Sequence, residues 1–218
     1  MKTKILKINS SQPEPHLLEQ AAEIILKDGV IGYPTETVYG LGANAESDTA
    51  VEKVFRLKGR DPSKPILVIA MNIEQINLLA AEIPPEATLL AERFWPGPLT
   101  IIFRAAPQVN KRLFGRGQSI GIRIPDNRVC LKLLEICKRP LTSTSANVTG
   151  GSNPVSATEV YKNFGEKLDL IIDGGYASSR IASTVLDLSA GKPMLRRTGR
   201  VSKQDIEQTI NREIYESI

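Results

Sequence analysis

The chain reads Gly32-Tyr33-Pro34-Thr35-Glu36-Thr37-Val38-Tyr39-Gly40-Leu41-Gly42 where a short apolar strand gives way to a loop. A proline interrupts the strand, and hydroxyl groups, one carboxylate and glycines follow it. This composition is typical of a loop that wraps a ligand rather than one that only reverses the chain. Further along, Lys58-Gly59-Arg60 places two cations at the predicted end of a helix. Backbone donors, hydroxyls and paired cations together indicate an anionic, phosphate-bearing ligand.

The bulk composition is that of a globular protein. The chain has 218 residues, of which 41% are hydrophobic and 24% charged, enough for a well-buried core. No apolar run reaches the roughly 18 residues that a membrane helix needs, and the basic N-terminus lacks the apolar segment of a signal peptide. We therefore expect a cytoplasmic protein without a membrane partner. The net charge of +4 favours nucleotides or RNA only mildly, because basic and acidic residues are interspersed.

Helix and strand patterns alternate along the chain and predict an α/β fold with a mixed sheet. No linker or internal repeat divides the sequence, so we predict a single domain over residues 1–218 with its core at about 15–200. The predicted helices span residues 15–27, 48–57, 72–81, 85–94, 126–138, a short segment after 156, and about 202–217. The predicted strands span residues 30–33, 66–70, 99–103, 120–124, 168–172, 183–188 and 193–196.

Lys58 and Arg60 are the first candidates for binding the anionic ligand. In a continuous helix the two side chains would point in opposite directions, but Gly59 predicts a helix end after which both cations converge. A structural role stays open, because cations in the last turn of a helix also stabilise its carbonyl groups and dipole. Lys64 adds a third cation in the proline-bounded loop that follows.

Two further segments carry polar groups that suit an anion. Residues 142–147 read Thr-Ser-Thr-Ser-Ala-Asn and can present donors to an oxyanion, although such residues also form serine–threonine and Asx turns. Arg123 lies within an apolar strand and should be paired or directed at an anion, because an unpaired buried charge is expensive. Arg196 and Arg197 form another cationic pair near a strand end, where a bridge to a surface acid is the alternative.

Several catalytic signatures are absent from the sequence. It has no P-loop, no G-x-G-x-x-G, no G-x-S-x-G and no H-E-x-x-H. The single histidine, His16, is expected at the surface, while Cys130 and Cys137 are expected to be buried free thiols. These residues predict no protein-built metal site. The remaining chemistry is positioning and charge neutralisation, which suffices for phosphoryl or nucleotidyl transfer.

Five motifs occur together and in one order along the chain. They are Tyr33 through Leu41, Lys58-x-Arg60, Trp95-Pro96-Gly97-Pro98-Leu99-Thr100, Arg123-Ile124-Pro125 and Ser143-Thr144-Ser145-Ala146-Asn147. With them the chain closely resembles the YrdC/TsaC family of threonylcarbamoyl-AMP synthases, from about residue 15 to about residue 200. The resemblance implies a single YrdC-like domain, with a twisted α/β sheet around a positively charged concave cavity and without the extra C-terminal domain of longer members.

The resemblance also implies a reaction. Family enzymes combine L-threonine, bicarbonate and ATP into L-threonylcarbamoyl-AMP, pyrophosphate and water. The product feeds the formation of N6-threonylcarbamoyladenosine (t6A) at position 37 of tRNAs that read codons starting with A. The implied cofactor is Mg²⁺, which arrives with ATP and is held mainly by the phosphates. The implied partners are a downstream t6A transferase complex, which receives the product, and tRNA or double-stranded RNA.

Carried over position by position, the resemblance implies two groups of binding residues. Lys58 and Arg60 are expected to be catalytic and to meet the ATP phosphates. The expected threonine-binding residues are Thr35, Arg123, Ser143 and Ser183. The expected ATP-binding residues are Lys58, Arg60, Lys64, Ser119, Ser145, Asn147, Asn153 and Arg197, with Arg196 as the alternative to Arg197. Ile69 stands where some members have a histidine that contacts threonine, and Lys64 stands where those members have asparagine.

Two alternatives from other classes stay open at this point. One is a YciO-like paralogue that keeps the fold and serves a different or weaker reaction. The other is a double-stranded RNA or tRNA-binding module without synthase activity. Against the module, only 5% of the residues are aromatic, and proteins that bind single-stranded nucleic acid rely on interleaved aromatic side chains.

Overall fold

The computed structural model describes residues 3–61, 64–115 and 117–216, and within them the chain has the predicted α/β architecture. Seven α-helices are present in those ranges, and strands separate them in chain order except between the third and the fourth. They are α1 (Pro15–Leu26), α2 (Asp48–Lys58), α3 (Ile73–Leu79), α4 (Pro85–Phe94), α5 (Arg128–Cys137), α6 (Ala157–Phe164) and α7 (Lys203–Ile210).

The strands form two mixed sheets, whereas the sequence patterns predict one. The strands are β1 (Lys4–Lys7), β2 (Ile31–Tyr33), β3 (Gly40–Gly42), β4 (Val68–Ile69), β5 (Leu99–Arg104), β6 (Ser119–Arg123), β7 (Leu141–Thr142), β8 (Thr144–Ser145), β9 (Leu170–Asp173), β10 (Thr184–Asp187), β11 (Met194–Arg197) and β12 (Tyr215–Glu216). The first sheet has the order β1-β9-β2-β3-β8, and the second has the order β12-β11-β10-β5-β6-β4-β7. Strands of two to four residues are too short to show a periodic pattern from which their pairing partners could be predicted.

The hairpin between β2 and β3 carries the loop quoted above. The two strands pair antiparallel, with Tyr33 opposite Gly40. A Cβ atom at Gly42 would lie 2.8 Å from Cε1 of Tyr33, so a larger residue there would collide with the buried tyrosine ring. The glycines of this loop therefore give the tyrosine the space to pack inside the first sheet.

Local signals in the sequence define the helix boundaries well. Ser47, Ser156 and Ser202 each accept a hydrogen bond from a backbone N–H of the following turn, as N-caps do. Gly59 ends α2 in the left-handed conformation, with φ of 56°. The predicted helix end at Gly59 is therefore confirmed, whereas the two cations do not both reach the cavity described below.

The C-terminal helix is shorter than the predicted span of about 202–217. It ends at Ile210, because Asn211 takes the left-handed conformation with φ of 49° and caps the helix. Ile214 is buried as its position in the apolar stripe predicts, but it lies beyond the helix and leads into β12, which pairs with β11. Residue 217 of the predicted span lies outside the described residues.

The core packs in two clusters. The larger cluster fills the space around α2, β5 and β6, and the smaller one lies between α1, α5 and the first sheet. Cys130 and Cys137 on α5 are buried and free, and His16 on α1 is exposed, as predicted. No helix within the described ranges is long and apolar enough to cross a membrane.

Candidate functional site

A cavity of about 300 Å³ lies where the ends of the two sheets meet. Hydroxyl and guanidinium groups dominate its polar lining, and none of the described residues that line it is acidic. The lining residues are Thr35, Thr37, Val38, Gly40, Arg60, Leu67, Val68, Ile69, Thr100, Arg123, Ser143, Thr144, Ser145, Asn153, Ala182, Ser183 and Arg197. A cavity with three arginines and no lining carboxylate is built for an anionic ligand.

Thr35 stabilises the loop that forms one wall of the cavity. Its Oγ1 donates to the carbonyl oxygen of Val38 at 2.7 Å and accepts from the backbone N–H groups of Thr37 and Val38 at 3.1 and 3.2 Å. It also lies 2.9 Å from Oγ1 of Thr37. These bonds close a tight turn, so the two hydroxyl groups at the cavity wall are held in place before any ligand arrives.

Arg123 ends β6 and is paired, which is one of the two outcomes that its place in an apolar strand predicts. Its Nη1 donates to Oε1 of Glu36, and both side chains are nearly buried, with exposed fractions of 6% and 12%. Ile69 is its register neighbour on β4 and also lines the cavity, fully buried. Ile69 therefore gives this part of the wall an apolar surface.

Ser183 and Arg197 form a connected group beside Arg123. Arg197 donates from Nε to the carbonyl oxygen of Ser183 at 3.0 Å and from Nη2 to its Oγ at 3.1 Å. Oγ of Ser183 also lies 2.9 Å from Oγ1 of Thr100. Burial lowers the pKa of Arg197, and the nearby positive charges of Arg123 and Arg60 lower it further. The three guanidinium groups repel one another, and an anion between them would relieve that repulsion.

The two adjacent arginines near the end of β11 have different environments. Arg197 lines the cavity, whereas Arg196 forms an ion pair with Asp187 at 2.8 Å, with 44% of its side chain exposed. Successive residues of a strand point to opposite faces of the sheet. The structure therefore favours Arg197 over Arg196 as the residue that faces a ligand.

Arg60 lines the cavity, and the loop after α2 holds its side chain. Its Nε donates to the carbonyl oxygen of Lys64 at 3.0 Å and its Nη2 to that of Pro65 at 2.8 Å. Burial lowers its pKa. Lys64 contributes its backbone to this arrangement, while its own side chain is exposed and does not line the cavity.

Lys58 does not line the cavity but anchors the loop behind it. Its Nζ donates to the carbonyl oxygens of Ser145 and Asn147 at 2.6 and 2.7 Å, and to Oδ1 of Asn147 at 3.1 Å. The residue is 2% exposed. Loss of hydration on burial, with a further contribution from Arg60, lowers the pKa of Lys58 to about 8. The ammonium group has three N–H donors, and the loop takes all three.

Asn147 orders the same loop. Its Oδ1 accepts from Oγ of Ser145 at 2.6 Å as well as from Lys58, and its Nδ2 donates to the carbonyl oxygen of Gly151 at 2.5 Å. Thr149 completes the attachment, because its N–H and Oγ1 both donate to the carbonyl oxygen of Lys58, at 3.1 and 3.0 Å. The end of α2 and residues 145–151 therefore form one hydrogen-bonded unit.

The other predicted residues divide between the cavity and its surroundings. Ser143, Ser145 and Asn153 line the cavity together with Thr35, Arg60, Arg123, Ser183 and Arg197. Four predicted residues do not line it: Lys58, Lys64, Ser119 and Asn147. Ser119 is buried at the start of β6, four residues from Arg123 at the other end of the strand.

Several lining residues and the partner of Arg123 are not predicted from the sequence. Thr37 and Glu36 lie inside the loop that the motif identifies, but nothing in the sequence marks Glu36 as the partner of an arginine 87 positions away. Thr100 ends the Trp95-Pro96-Gly97-Pro98-Leu99-Thr100 motif, which could have marked it. No group of three or more histidine, cysteine or acidic side chains suited to a metal ion occurs within the described residues.

Comparison with known proteins gives matches that extend over most of the chain. The sequence profile of the Sua5/YciO/YrdC family, which carries the description "Telomere recombination", matches residues 23–199. A threonylcarbamoyl-AMP synthase of Pyrococcus abyssi (strain GE5 / Orsay) is 41% identical over 190 residues, which cover 87% of this chain and 56% of that protein. The chain therefore spans about half the length of this curated relative.

Solved structures agree with the sequence matches. The crystal structure of P. abyssi Sua5 complexed with L-threonine has a TM-score of 0.93 at 38% identity, over 98% of this chain and 63% of that one. The crystal structure of E. coli YciO has a TM-score of 0.87 at 28% identity, over 94% of this chain and 99% of that one. On the profile match over most of its length, supported by these structures, the chain belongs to the Sua5/YciO/YrdC family.

Proposed function

We propose that this protein is an L-threonylcarbamoyladenylate synthase, which converts L-threonine, bicarbonate and ATP into L-threonylcarbamoyl-AMP, pyrophosphate and water. The single observation that carries the proposal is the cavity in which Arg60, Arg123 and Arg197 converge without a lining carboxylate. An amino-acid carboxylate and a triphosphate are both anionic, and the cavity offers cations for each. The similarity to a Sua5 that was crystallised with L-threonine supports the amino acid named here.

At the amino-acid end, Arg123 would bind the threonine carboxylate through two parallel hydrogen bonds. Thr35, Ser143 and Ser183 would supply hydroxyl groups to the rest of the amino acid. The threonine amine and bicarbonate combine to an N-carboxylate and water. An oxygen of this carbamate then attacks the α-phosphorus of ATP, and the bond from that phosphorus to the bridging oxygen of pyrophosphate breaks.

At the phosphate end, cations would stabilise the charge that develops on the leaving pyrophosphate. Arg60 and Arg197 face the cavity and would contact the phosphates directly, with Ser145 and Asn153 contributing to the nucleotide. Mg²⁺ would enter as the ATP complex and be held mainly by the phosphates, which is consistent with a lining that has no acidic side chain. Lys58, Lys64, Ser119 and Asn147 belong to the proposed ATP site as well, although none of them lines the cavity in this conformation.

The product would be an activated carbamoyl group on AMP, suited to transfer to a nucleophile. We propose that it serves t6A formation at position 37 of tRNA, through a downstream transferase complex, in the cytoplasm. Direct binding of tRNA or double-stranded RNA is a further part of this proposal, supported by the mild excess of positive charge.

One assay tests the reaction. The protein is incubated with ATP, Mg²⁺, bicarbonate and L-threonine, and pyrophosphate is measured with and without threonine. We expect release that depends on threonine and on bicarbonate. The absence of threonine-dependent release from a folded protein that still binds ATP would contradict the proposal.

A second candidate is a YciO-like function on the same fold. The observation that favours it is the likeness in fold to E. coli YciO, with a TM-score of 0.87 at 28% identity. In the same assay this candidate predicts ATP binding with little or no threonine-dependent release. Salt-sensitive binding of double-stranded RNA, without any pyrophosphate release, would instead favour a nucleic-acid-binding module.

A further inference from the structure

Glu36 lies between two residues that line the cavity, yet its own side chain is not part of the lining. Thr35 and Thr37 face the cavity. The carboxylate of Glu36 lies behind this wall, with 12% of the side chain exposed, and pairs there with Arg123. Burial raises the pKa of the Cys130 thiol, and the nearby negative charge of Glu36 raises it further. The carboxylate of Glu36 therefore pairs with Arg123 behind the residues that line the cavity.

The ion pair uses only part of the arginine. Nη1 of Arg123 donates to Oε1 of Glu36, and within the described residues no other hydrogen bond from this guanidinium is formed. Arginine has five N–H donors in a fixed plane, so Nε and Nη2 remain for another acceptor. These two atoms form one edge of the plane, and such an edge suits the two oxygens of a carboxylate.

The backbone of Glu36 is fixed as firmly as its side chain. Its carbonyl oxygen accepts from Oγ of Ser178 at 2.7 Å and from Nη1 of Arg200 at 2.9 Å. Glu36 belongs to the loop after β2 in the first sheet, whereas Arg123 ends β6 in the second sheet. The residue thus connects the two walls of the cavity and has little freedom to move when a ligand enters.

We propose that Glu36 is a positioning residue, which holds Arg123 by one edge so that the other edge faces the carboxylate of the amino-acid substrate. The proposal rests on the proposed function for the identity of that substrate. Glu36 itself does not touch the amino acid. Oε2 of Glu36 is buried and has no hydrogen-bond partner within the described residues. Within those residues, the carboxylate of Glu36 forms its ion pair with Arg123 through Oε1.

Ligand binding by two variants tests this role. Glu36→Gln keeps the shape and an oxygen that can accept from Nη1, and it removes the charge. Glu36→Ala removes both. We expect Glu36→Gln to weaken L-threonine binding about tenfold, and Glu36→Ala to weaken it more, because a charge-assisted hydrogen bond that orients Arg123 is lost. Isothermal titration calorimetry measures both affinities, and ATP binding should change less than twofold.

The matched control is Glu46→Gln. Glu46 also pairs with an arginine, Arg139, at 2.9 Å, but both side chains are about half exposed and lie outside the cavity lining. This variant should bind threonine as the wild type does. Unchanged or tighter threonine binding by both Glu36 variants would overturn the proposal, and tighter binding would mean that Glu36 competes with the substrate for Arg123.

A second measurement does not depend on the substrate. Side-chain NMR of ¹⁵N-labelled arginine reports how fast the guanidinium group rotates, and Arg123→Lys identifies the Arg123 signals. We expect slow rotation in the wild type and in Glu46→Gln, and faster rotation in Glu36→Gln. Equal rotation rates in all three proteins would overturn the positioning role. Wild-type protein that binds no threonine would refute the proposed function and the substrate named here, while these rates would still decide whether Glu36 orients Arg123.

Discussion

The cavity lining and the loop behind it differ in how many hydrogen-bond donors their cations leave for a ligand. In the lining, Arg123 and Arg197 have guanidinium groups that are held by one residue each and keep further N–H donors unused among the described residues. Behind the lining, Lys58 gives all three of its donors to the loop of Ser145 and Asn147. The lining arginines are ready for an anion, whereas Lys58 is satisfied without one.

This difference separates two ways in which a cation can serve an anion site. A guanidinium has five donors, so it can be positioned by the protein and still bind a ligand. An ammonium group has three, so Lys58 can reach a phosphate only by releasing an oxygen of residues 145–147. We therefore expect Arg60 to contact the phosphates directly and Lys58 to act first through the loop that it holds.

The largest effect is expected from Arg60→Ala. The variant removes a cation that faces the cavity, and loss of one donor to developing charge typically costs about 10²–10³-fold in rate. The rate of threonine-dependent pyrophosphate release measures this loss of turnover. Arg56→Ala is the matched control, because Arg56 lies on the exposed side of α2 and pairs with Glu52. Unimpaired turnover in Arg60→Ala would refute the phosphate role and remove the contrast with Lys58.

The next largest effect is expected from Lys58→Met, and it should appear in stability as well as in turnover. The variant leaves three oxygens of the loop without their donor, which should lower the free energy of unfolding by about 2–4 kcal/mol. Urea denaturation measures the change. Lys53→Met, on the same helix, is the control, because exposed Lys53 donates to a single carbonyl, that of Asp28. If Lys58→Met lost turnover at unchanged stability, Lys58 would be chiefly a phosphate ligand.

A smaller effect is expected from Arg197→Ala, with Arg196→Ala as its comparison. Arg197 lines the cavity and Arg196 pairs with Asp187. We expect Arg197→Ala to lower kcat/KM about tenfold, equivalent to about 1.4 kcal/mol, and Arg196→Ala to change it less than twofold. Steady-state kinetics with varied ATP distinguish the two. The reverse order of effects would mean that β11 presents the other arginine to the ligand.

The smallest effect is a pH dependence that belongs to Lys58. Its pKa is about 8 in the folded protein and 10.5 in the reference state, so between these values the unfolded chain binds more protons than the folded one. The contribution of Lys58 to the free energy of unfolding therefore rises with pH. Relative to Lys58→Met, the wild type should gain about 1 kcal/mol of unfolding free energy between pH 7.5 and 9. A constant difference across that range would contradict a lowered pKa.

The sequence predicts local features of this protein well. The starts of α2, α6 and α7 are predicted because a capping residue needs only its own following turn, and the end of α2 at Gly59 is predicted for the same reason. Most of the cavity arginines and hydroxyls are also identified, because they lie in motifs that the family shares. What a residue does with its immediate neighbours in the chain can be read from the sequence.

Contacts between distant segments could not be predicted in the same way. The direction of Lys58 depends on where residues 145–147 approach α2, and the pair of Glu36 with Arg123 depends on how the two sheets meet. The division of the strands into two sheets, and the end of α7 at Ile210, likewise depend on packing of short elements against the rest of the chain. These features are set by the tertiary structure and leave no periodic pattern in the sequence.

The left-handed turn at Gly59 has a consequence for which sequences this family can tolerate. A Cβ atom built at Gly59 would meet nothing within 4 Å, so the restriction there is torsional and not steric. Asparagine adopts such a backbone conformation more readily than β-branched residues do. Natural variation at this position should therefore include small polar residues and exclude valine and isoleucine. The backbone torsion of Gly59 is what allows Lys58 to be buried while Arg60, two positions later, lines the cavity.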